Sequence, residues 1–72
     1  MSASESVTIR INGEARRVRA GASIAQMLGE LGLNPERVAI ERNLEIVPRS
    51  TLSDVAVKDG DTFEIVHFVG GG

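Results

Sequence analysis

Three consecutive glycines, Gly70-Gly71-Gly72, follow directly on a hydrophobic run from Phe63 to Val69. Glycine has no Cβ, so such a segment can enter a channel that is too narrow for side chains. Three extended residues carry the last carboxylate about 10 Å beyond the run. We therefore expect the reactive group to be the carboxylate of Gly72, with Gly70 and Gly71 threading it into a partner's site. The alternative is a frayed terminus without chemistry.

Side chains that commonly carry catalysis or bind metals are scarce. There is no cysteine, so a disulfide, a thiolate nucleophile and an iron–sulfur cluster are excluded. The single histidine, His67, is expected to pack across a strand pair rather than act as a base. Asp59 and Asp61 flank Gly60 and are typical of a turn, since no further metal ligands accompany them. We expect no catalytic residue, no metal site, no cofactor bound by the chain itself and no enzyme activity of its own.

Length and charge limit the remaining possibilities. The 72 residues are enough for one small domain with a modest core. The net charge is −2 and the basic residues are scattered, whereas nucleic-acid binding requires a positive surface. No apolar stretch approaches the roughly 20 residues of a membrane span, and the N-terminus has no signal-peptide pattern. We expect a cytoplasmic module that contacts neither nucleic acid nor membrane and works within a partner's site.

The start of the chain has the pattern of a β-hairpin. Residues 7–11 alternate in hydrophobicity, and Asn12-Gly13 is the preferred type I′ turn. Residues 14–19 return as the second strand, although their own hydrophobic pattern is weak. Counting from the turn predicts three facing pairs: Val7 with Val18, Ile9 with Arg16, and Ile11 with Glu14.

The remainder of the chain predicts one helix and several short strands. Ser23 and Gln26 have capping-box spacing at the start of an apolar stripe, which predicts a helix over residues 24–31 that ends at Gly32. The stripe consists of Ile24, Met27, Leu28 and Leu31. Strands are predicted over residues 38–41, 44–47 and 62–69, with a short helical turn within residues 50–54 and an extended piece over 55–57.

One amphipathic helix can cover only one face of a sheet, so this order predicts a two-layer α+β domain. Parallel pairing of the first and last strands needs a crossover, which gives a mixed sheet with the helix packed on one face. This is the ubiquitin-like β-grasp arrangement. We expect a disordered N-terminal extension over residues 1–6, the β-grasp domain over residues 7–69 and a flexible glycine tail over residues 70–72.

Several short segments, in order, resemble the ThiS-type sulfur carriers of thiamine (thiazole) biosynthesis. They are Asn12-Gly13, Ser23-Ile24, Glu41-Arg42-Asn43 with Ile46-Val47-Pro48-Arg49, Asp59-Gly60-Asp61, and the final stretch of residues 65–72. The resemblance implies that a ThiF-like adenylating enzyme uses ATP to activate Gly72, and that a sulfur donor protein then converts the carboxylate to a thiocarboxylate. It also implies that a ThiG-like thiazole synthase receives the sulfur.

A tail of glycines cannot supply binding energy, because association and ordering of the tail both cost free energy. We therefore expect a docking surface beside the tail. Phe68 and Val69 are candidates for an apolar anchor, since alternation lets only one face of the last strand point inward. Phe68 is equally compatible with a place in the core. Arg49 and Arg10 are candidates for polar contacts at the rim.

Three other functions remain open at this point. The chain is also compatible with a double-glycine sulfur carrier for molybdopterin or cysteine synthesis, because the physics of the tail would be the same. A ubiquitin-like protein modifier, joined to lysines through Gly72, would use the same activated carboxylate. A β-grasp interaction domain with an inert tail would need no activation. The preference for the thiamine type rests on the resemblance.

Overall fold

The computed structural model describes residues 5–68, which form a five-stranded mixed sheet with one α-helix packed on one face. The elements are β1 (Ser6–Ile11), β2 (Glu14–Arg19), α1 (Ile24–Glu30), β3 (Val38–Arg42), β4 (Glu45–Ile46) and β5 (Thr62–His67), with 3-10 turns at Pro35–Arg37 and Arg49–Thr51. The order across the sheet is β2-β1-β5-β3-β4. Only β1 and β5 are parallel, so the predicted α+β, β-grasp arrangement is confirmed.

The first hairpin forms as predicted. Asn12 (φ 51°) and Gly13 (φ 88°) are both left-handed, as a type I′ turn requires. The three predicted pairs are confirmed, and β1 begins at Ser6, one residue before the predicted start. Residues 1–4 of the predicted extension lie outside the described part of the chain. β2 is an edge strand and buries only Val18, which explains why its hydrophobic pattern is weak.

The helix is closed at both ends by the predicted residues. The backbone N–H of Gln26 donates to Ser23 Oγ at 3.0 Å, and the Ser23 N–H donates to Gln26 Oε1 at 2.9 Å, which completes a capping box. At the other end, Gly32 has φ 77° and Leu33 donates to the Leu28 carbonyl at 2.9 Å. This Schellman-type ending makes Leu31 the C-cap, so α1 is one residue shorter than predicted.

The second hairpin differs from its prediction. Leu44 was expected to begin the strand over residues 44–47, but Asn43 (φ 53°) and Leu44 (φ 73°) form the turn, and β4 contains only Glu45–Ile46. A left-handed conformation costs a residue such as leucine roughly 1–3 kcal/mol. The predicted extended piece over residues 55–57 contributes an isolated bridge between Ala56 and Ser23 rather than a strand.

The core lies between α1 and the sheet, and β5 runs through its centre. Phe63 is fully buried and Ile65 nearly so, both facing the helix side. Met27 is buried among them, as the apolar stripe predicted. The buried cluster consists of Ile9, Ile11, Val18, Ile24, Met27, Leu28, Val38, Ile40, Leu52, Val57, Phe63 and Ile65. Among residues 5–68, no helix is long and apolar enough to cross a membrane.

Candidate functional site

The end of β5, from which the glycine tail departs, is held on both sides. On the β3 side, His67 lies opposite Val38, and the Phe68 N–H donates to the Arg37 carbonyl at 2.9 Å. On the other side, β1 has already ended, and two hydrogen bonds from the side chain of Asn12 to the backbone of Ile65 hold β5 in its place. The scaffold therefore holds the backbone of β5 in place up to Phe68, the last described residue. Val69 and the predicted reactive tail, Gly70 to Gly72, lie outside the described residues.

Four large apolar side chains of the described residues are exposed, of which Val66 and Phe68 lie at this end of β5, whereas Leu44 lies in the β3–β4 turn near the start of β5. Within residues 5–68, the exposed fractions are 87% for Leu44, 77% for Ile46, 61% for Val66 and 49% for Phe68. Alternation places Val66 and Phe68 on the face opposite Phe63, away from the helix. Phe68 was predicted to be either an exposed anchor or part of the core, and the structure shows that it is exposed. Its role in docking remains a prediction.

The open face of the sheet contains a shallow hollow of about 150 Å³ beside Val66. Its wall includes Ala39, Ile46 and two carboxylates, Glu41 and Glu64. These two glutamates face each other directly across β3 and β5. Among residues 5–68, neither takes part in a salt bridge. The hollow is therefore apolar at its base and acidic at one side.

The two arginines expected at the rim have contacts within the domain. Arg49 donates from Nε to the Pro35 carbonyl at 2.9 Å and from Nη2 to the Val38 carbonyl at 3.3 Å. It thus links the second 3-10 turn to the start of β3. Arg10 donates from Nη1 to the Gly13 carbonyl at 3.1 Å. Both arginines are exposed and retain further N–H donors for a partner.

A buried carboxylate, Asp61, organises the loops at the opposite end of β5. Its oxygens accept hydrogen bonds from Arg42 Nε at 2.9 Å, from Asn43 Nδ2 at 3.1 Å and from the Lys58 N–H at 2.9 Å. Burial by itself raises the pKa of Asp61, but these donors and the charge of Arg42 outweigh it and lower the pKa below its ordinary value. Asp61 is therefore a charged structural group at neutral pH.

Asp59 also has a structural contact, since its Oδ1 accepts from the Thr8 N–H at 2.9 Å. Across residues 5–68, no group of three or more acidic or histidine side chains could hold a metal ion. His67 is exposed at the end of β5. Its backbone pairs with Val38 across the strand pair as predicted, but the residue is not buried there. The described geometry therefore offers no side-chain catalyst; it holds the end of β5 in place and presents an apolar face to a partner.

Val66 and Ile46 belong to this face and were not singled out from the sequence. For Val66 a signal existed, because the buried set of Phe63 and Ile65 leaves residues 64, 66 and 68 on the other face. The hydrophobic run from 65 to 69 concealed that alternation. For Ile46 no local signal existed, since its orientation depends on its pairing with Glu41 across the hairpin.

Comparison with known proteins gives a consistent result. The model of the ThiS family matches residues 9–72. A thiazole synthase of Paramagnetospirillum magneticum is 56% identical over 62 residues, which is 86% of this chain. The chain spans only 19% of that relative's length.

Two further proteins match over nearly their whole length. The sulfur carrier protein ThiS of Bacillus subtilis is 35% identical over 65 residues, covering 89% of this chain and 98% of the relative. The crystal structure of the thiamine biosynthesis protein ThiS from Geobacter metallireducens superposes with a TM-score of 0.79 at 30% identity. That match covers 92% of this chain and all of the solved one.

Proposed function

Because the chain belongs to the ThiS family, we propose that it is a sulfur carrier of thiamine biosynthesis whose reactive group is the carboxylate of Gly72. The chain is then a co-substrate of partner enzymes and not itself a catalyst. The observation that carries the proposal is the family match, which runs to residue 72 and includes the three final glycines. The proposal requires that Gly72 ends the polypeptide when the carrier is active.

The chemistry begins with a poor acyl donor. A carboxylate delocalises its charge and has no good leaving group, so a ThiF-like adenylating enzyme joins it to AMP, with release of pyrophosphate from ATP. A sulfur nucleophile at the oxidation level of hydrosulfide, delivered by a donor protein, then attacks the acyl carbon. The C–S bond forms, the C–O bond to AMP breaks, and Gly72 carries a thiocarboxylate. A ThiG-like thiazole synthase takes the sulfur from this group.

The domain contributes position and binding energy to these steps. β5 is supported on the β3 side up to Phe68 and on the β1 side up to Ile65, and in the proposal the tail starts from this supported strand. Gly70 and Gly71 give the tail reach and a small cross-section. Phe68, with Val66 on the same open face, supplies apolar area for docking, and Val69 is a second proposed anchor beside the tail. Arg49 contributes polar contacts at the rim.

Reconstitution tests the proposal. The purified chain is incubated with the adenylating enzyme of its own organism, ATP and a sulfide source, and intact mass and pyrophosphate release are measured. We expect pyrophosphate release that depends on the chain and a thiocarboxylate on Gly72. A variant that ends at Gly71 should keep the fold and lose both signals. Pyrophosphate release followed by isopeptide bonds to lysines, without a thiocarboxylate, would instead indicate a protein modifier.

No feature of residues 5–68 favours the carriers of molybdopterin or cysteine synthesis over the thiamine type. The relatives described above are a thiazole synthase and proteins named ThiS.

A further inference from the structure

The turn between β3 and β4 exposes a leucine in a conformation that leucine normally avoids. Leu44 has φ 73° and is 87% exposed. In the turn between β1 and β2, the same position is occupied by Gly13, and each turn begins with an asparagine, Asn12 or Asn43, at almost the same φ. Glycine would satisfy both turns without backbone strain. Leu44 therefore has a strained backbone and buries little of its side chain in the free domain, which favours a role in binding.

The turn that presents Leu44 is held rigidly against β5. The Asn43 N–H donates to the Thr62 carbonyl at 2.7 Å, and the Thr62 N–H donates to Asn43 Oδ1 at 2.9 Å. Asn43 Nδ2 and Arg42 Nε donate to the two oxygens of Asp61 at 3.1 and 2.9 Å. A side chain on a fixed backbone loses less conformational entropy on binding than one on a flexible loop. Leu44 is thus exposed and preorganised.

The surface beside this turn carries an uncompensated charge pair. Glu41 and Glu64 are directly opposite each other on β3 and β5, and like charges in that position destabilise a sheet. Within the described residues neither forms a salt bridge. Ile46, 77% exposed, faces Glu41 across the hairpin and lines the hollow with both glutamates. A complementary surface would offer an apolar pocket and a cation.

We propose that Leu44, Ile46 and the Glu41–Glu64 pair form the contact surface for the thiazole synthase that consumes the sulfur. Leu44 and Ile46 enter an apolar pocket of the synthase, and a lysine or arginine of the synthase lies against the two carboxylates. The inference rests on the proposed function, of which it names one partner's binding surface. The synthase is favoured over the adenylating enzyme because the Paramagnetospirillum relative combines a segment like this chain with a thiazole synthase in one polypeptide.

The test compares variants that should stabilise the free domain but weaken binding. Leu44→Gly relieves backbone strain, and Glu64→Gln relieves charge repulsion. Gly13→Asn in the other turn and Glu14→Gln on β2 are the matched controls. The binding of each unmodified chain to the purified thiazole synthase of its own organism is measured by calorimetry. Urea unfolding and the rate of ATP-dependent thiocarboxylation are measured in parallel.

We expect Leu44→Gly and Glu64→Gln each to raise the Kd for the synthase about tenfold. Their urea midpoints should equal or exceed that of the natural chain, and their thiocarboxylation rates should be unchanged. Both controls should bind as the natural chain does. A lowered urea midpoint would show that Leu44 or Glu64 serves the fold, which overturns the inference for that residue.

Further results would also decide whether this surface binds the thiazole synthase. An unchanged Kd for Leu44→Gly, or no binding of the natural chain to the synthase, overturns the inference. An equal loss of thiocarboxylation shows that the adenylating enzyme uses the same surface, which overturns the assignment to the synthase. If the natural chain is never thiocarboxylated but binds the synthase through Leu44, the proposed function fails while the surface is supported.

Discussion

Asn12 and Ile65 exchange two hydrogen bonds at the place where β1 has ended and β5 continues. The Ile65 N–H donates to Asn12 Oδ1 at 2.9 Å, and Asn12 Nδ2 donates to the Ile65 carbonyl at 3.2 Å. Asn43 supports β5 from the other side through Thr62 in a similar way. Each asparagine also adopts the left-handed conformation that its turn needs. The two hairpin turns therefore act as lateral supports for the strand that leads to the tail.

Replacing Asn12 separates its hydrogen bonds to Ile65 from its left-handed conformation in the turn. Asn12→Gly keeps the left-handed turn accessible but removes both hydrogen bonds to Ile65, leaving partly buried backbone groups without a partner. We expect the free energy of unfolding, measured in urea, to fall by roughly 1–3 kcal/mol. Asn12→Asp, which keeps one acceptor for the Ile65 N–H, should lose less. Equal stability of Asn12→Gly and the natural chain would show that the side-chain bonds to β5 contribute nothing.

Acid should weaken the domain through Asp61. The pKa of Asp61 is lowered in the folded state, so its stabilising contribution is complete above the pKa of the unfolded chain, about 3.9. That contribution is lost as the pH falls from about 5 through the lower folded pKa. Asp61→Asn should cost roughly 1–3 kcal/mol at pH 7, and its stability should approach that of the natural chain in acid.

Urea unfolding between pH 7 and pH 3 measures this convergence. Asp54→Asn is a suitable control, because Asp54 is an exposed aspartate whose carboxylate contributes nothing to the Asp61 network. Its stability should follow that of the natural chain at every pH. A constant stability difference between Asp61→Asn and the natural chain over the whole range would contradict the assignment of the acid effect to Asp61.

The two phenylalanines of the chain should respond in opposite ways to truncation. Phe63 is fully buried, so Phe63→Ala should reduce the free energy of unfolding by roughly 3–5 kcal/mol. Phe68 is 49% exposed, and Phe68→Ala should cost no more than about 1 kcal/mol. Because docking should depend on Phe68, its truncation should raise the KM for the chain in ATP-dependent modification about tenfold. An unchanged KM would remove Phe68 from the proposed docking surface.

Arg49 should combine a structural and a docking role. Arg49→Lys keeps the positive charge but cannot reproduce the forked contacts with the Pro35 and Val38 carbonyls, so we expect a loss of about 1 kcal/mol in unfolding free energy. Its KM in ATP-dependent modification should stay close to that of the natural chain. Arg49→Gln should lose stability and also raise the KM. Full stability of Arg49→Lys in urea would contradict the structural role.

Local signals account for the parts of the fold that were predicted correctly. Asn12-Gly13 determines both the turn type and the register of the first hairpin, because a two-residue type I′ turn leaves one way to pair the strands. Ser23 and Gln26 mark the helix start through contacts three residues apart. The exposure of Phe68 was one of two predicted possibilities, because the mainly apolar run from residue 65 to residue 69 did not show how far the alternation continued.

Features that depend on distant residues were not predicted. A leucine, unlike a glycine, does not indicate a left-handed turn position, so the conformation of Leu44 was not predicted. It follows from the preceding Asn43, which is hydrogen-bonded to Thr62 and Asp61 far along the chain. Asp61 was correctly placed in a turn, but its burial depends on Arg42, 19 positions away. The opposition of Glu41 and Glu64 likewise arises only when β3 and β5 pair.

The most direct test of the account is the mass of the chain isolated from its own cells, with fragmentation of the C-terminal peptide. We predict a population that ends at Gly72 and has gained the mass difference of one oxygen replaced by sulfur, localised to that residue. An unmodified carboxylate in every molecule, also after incubation with ATP, sulfide and the cell's adenylating enzyme, would contradict the sulfur-carrier function.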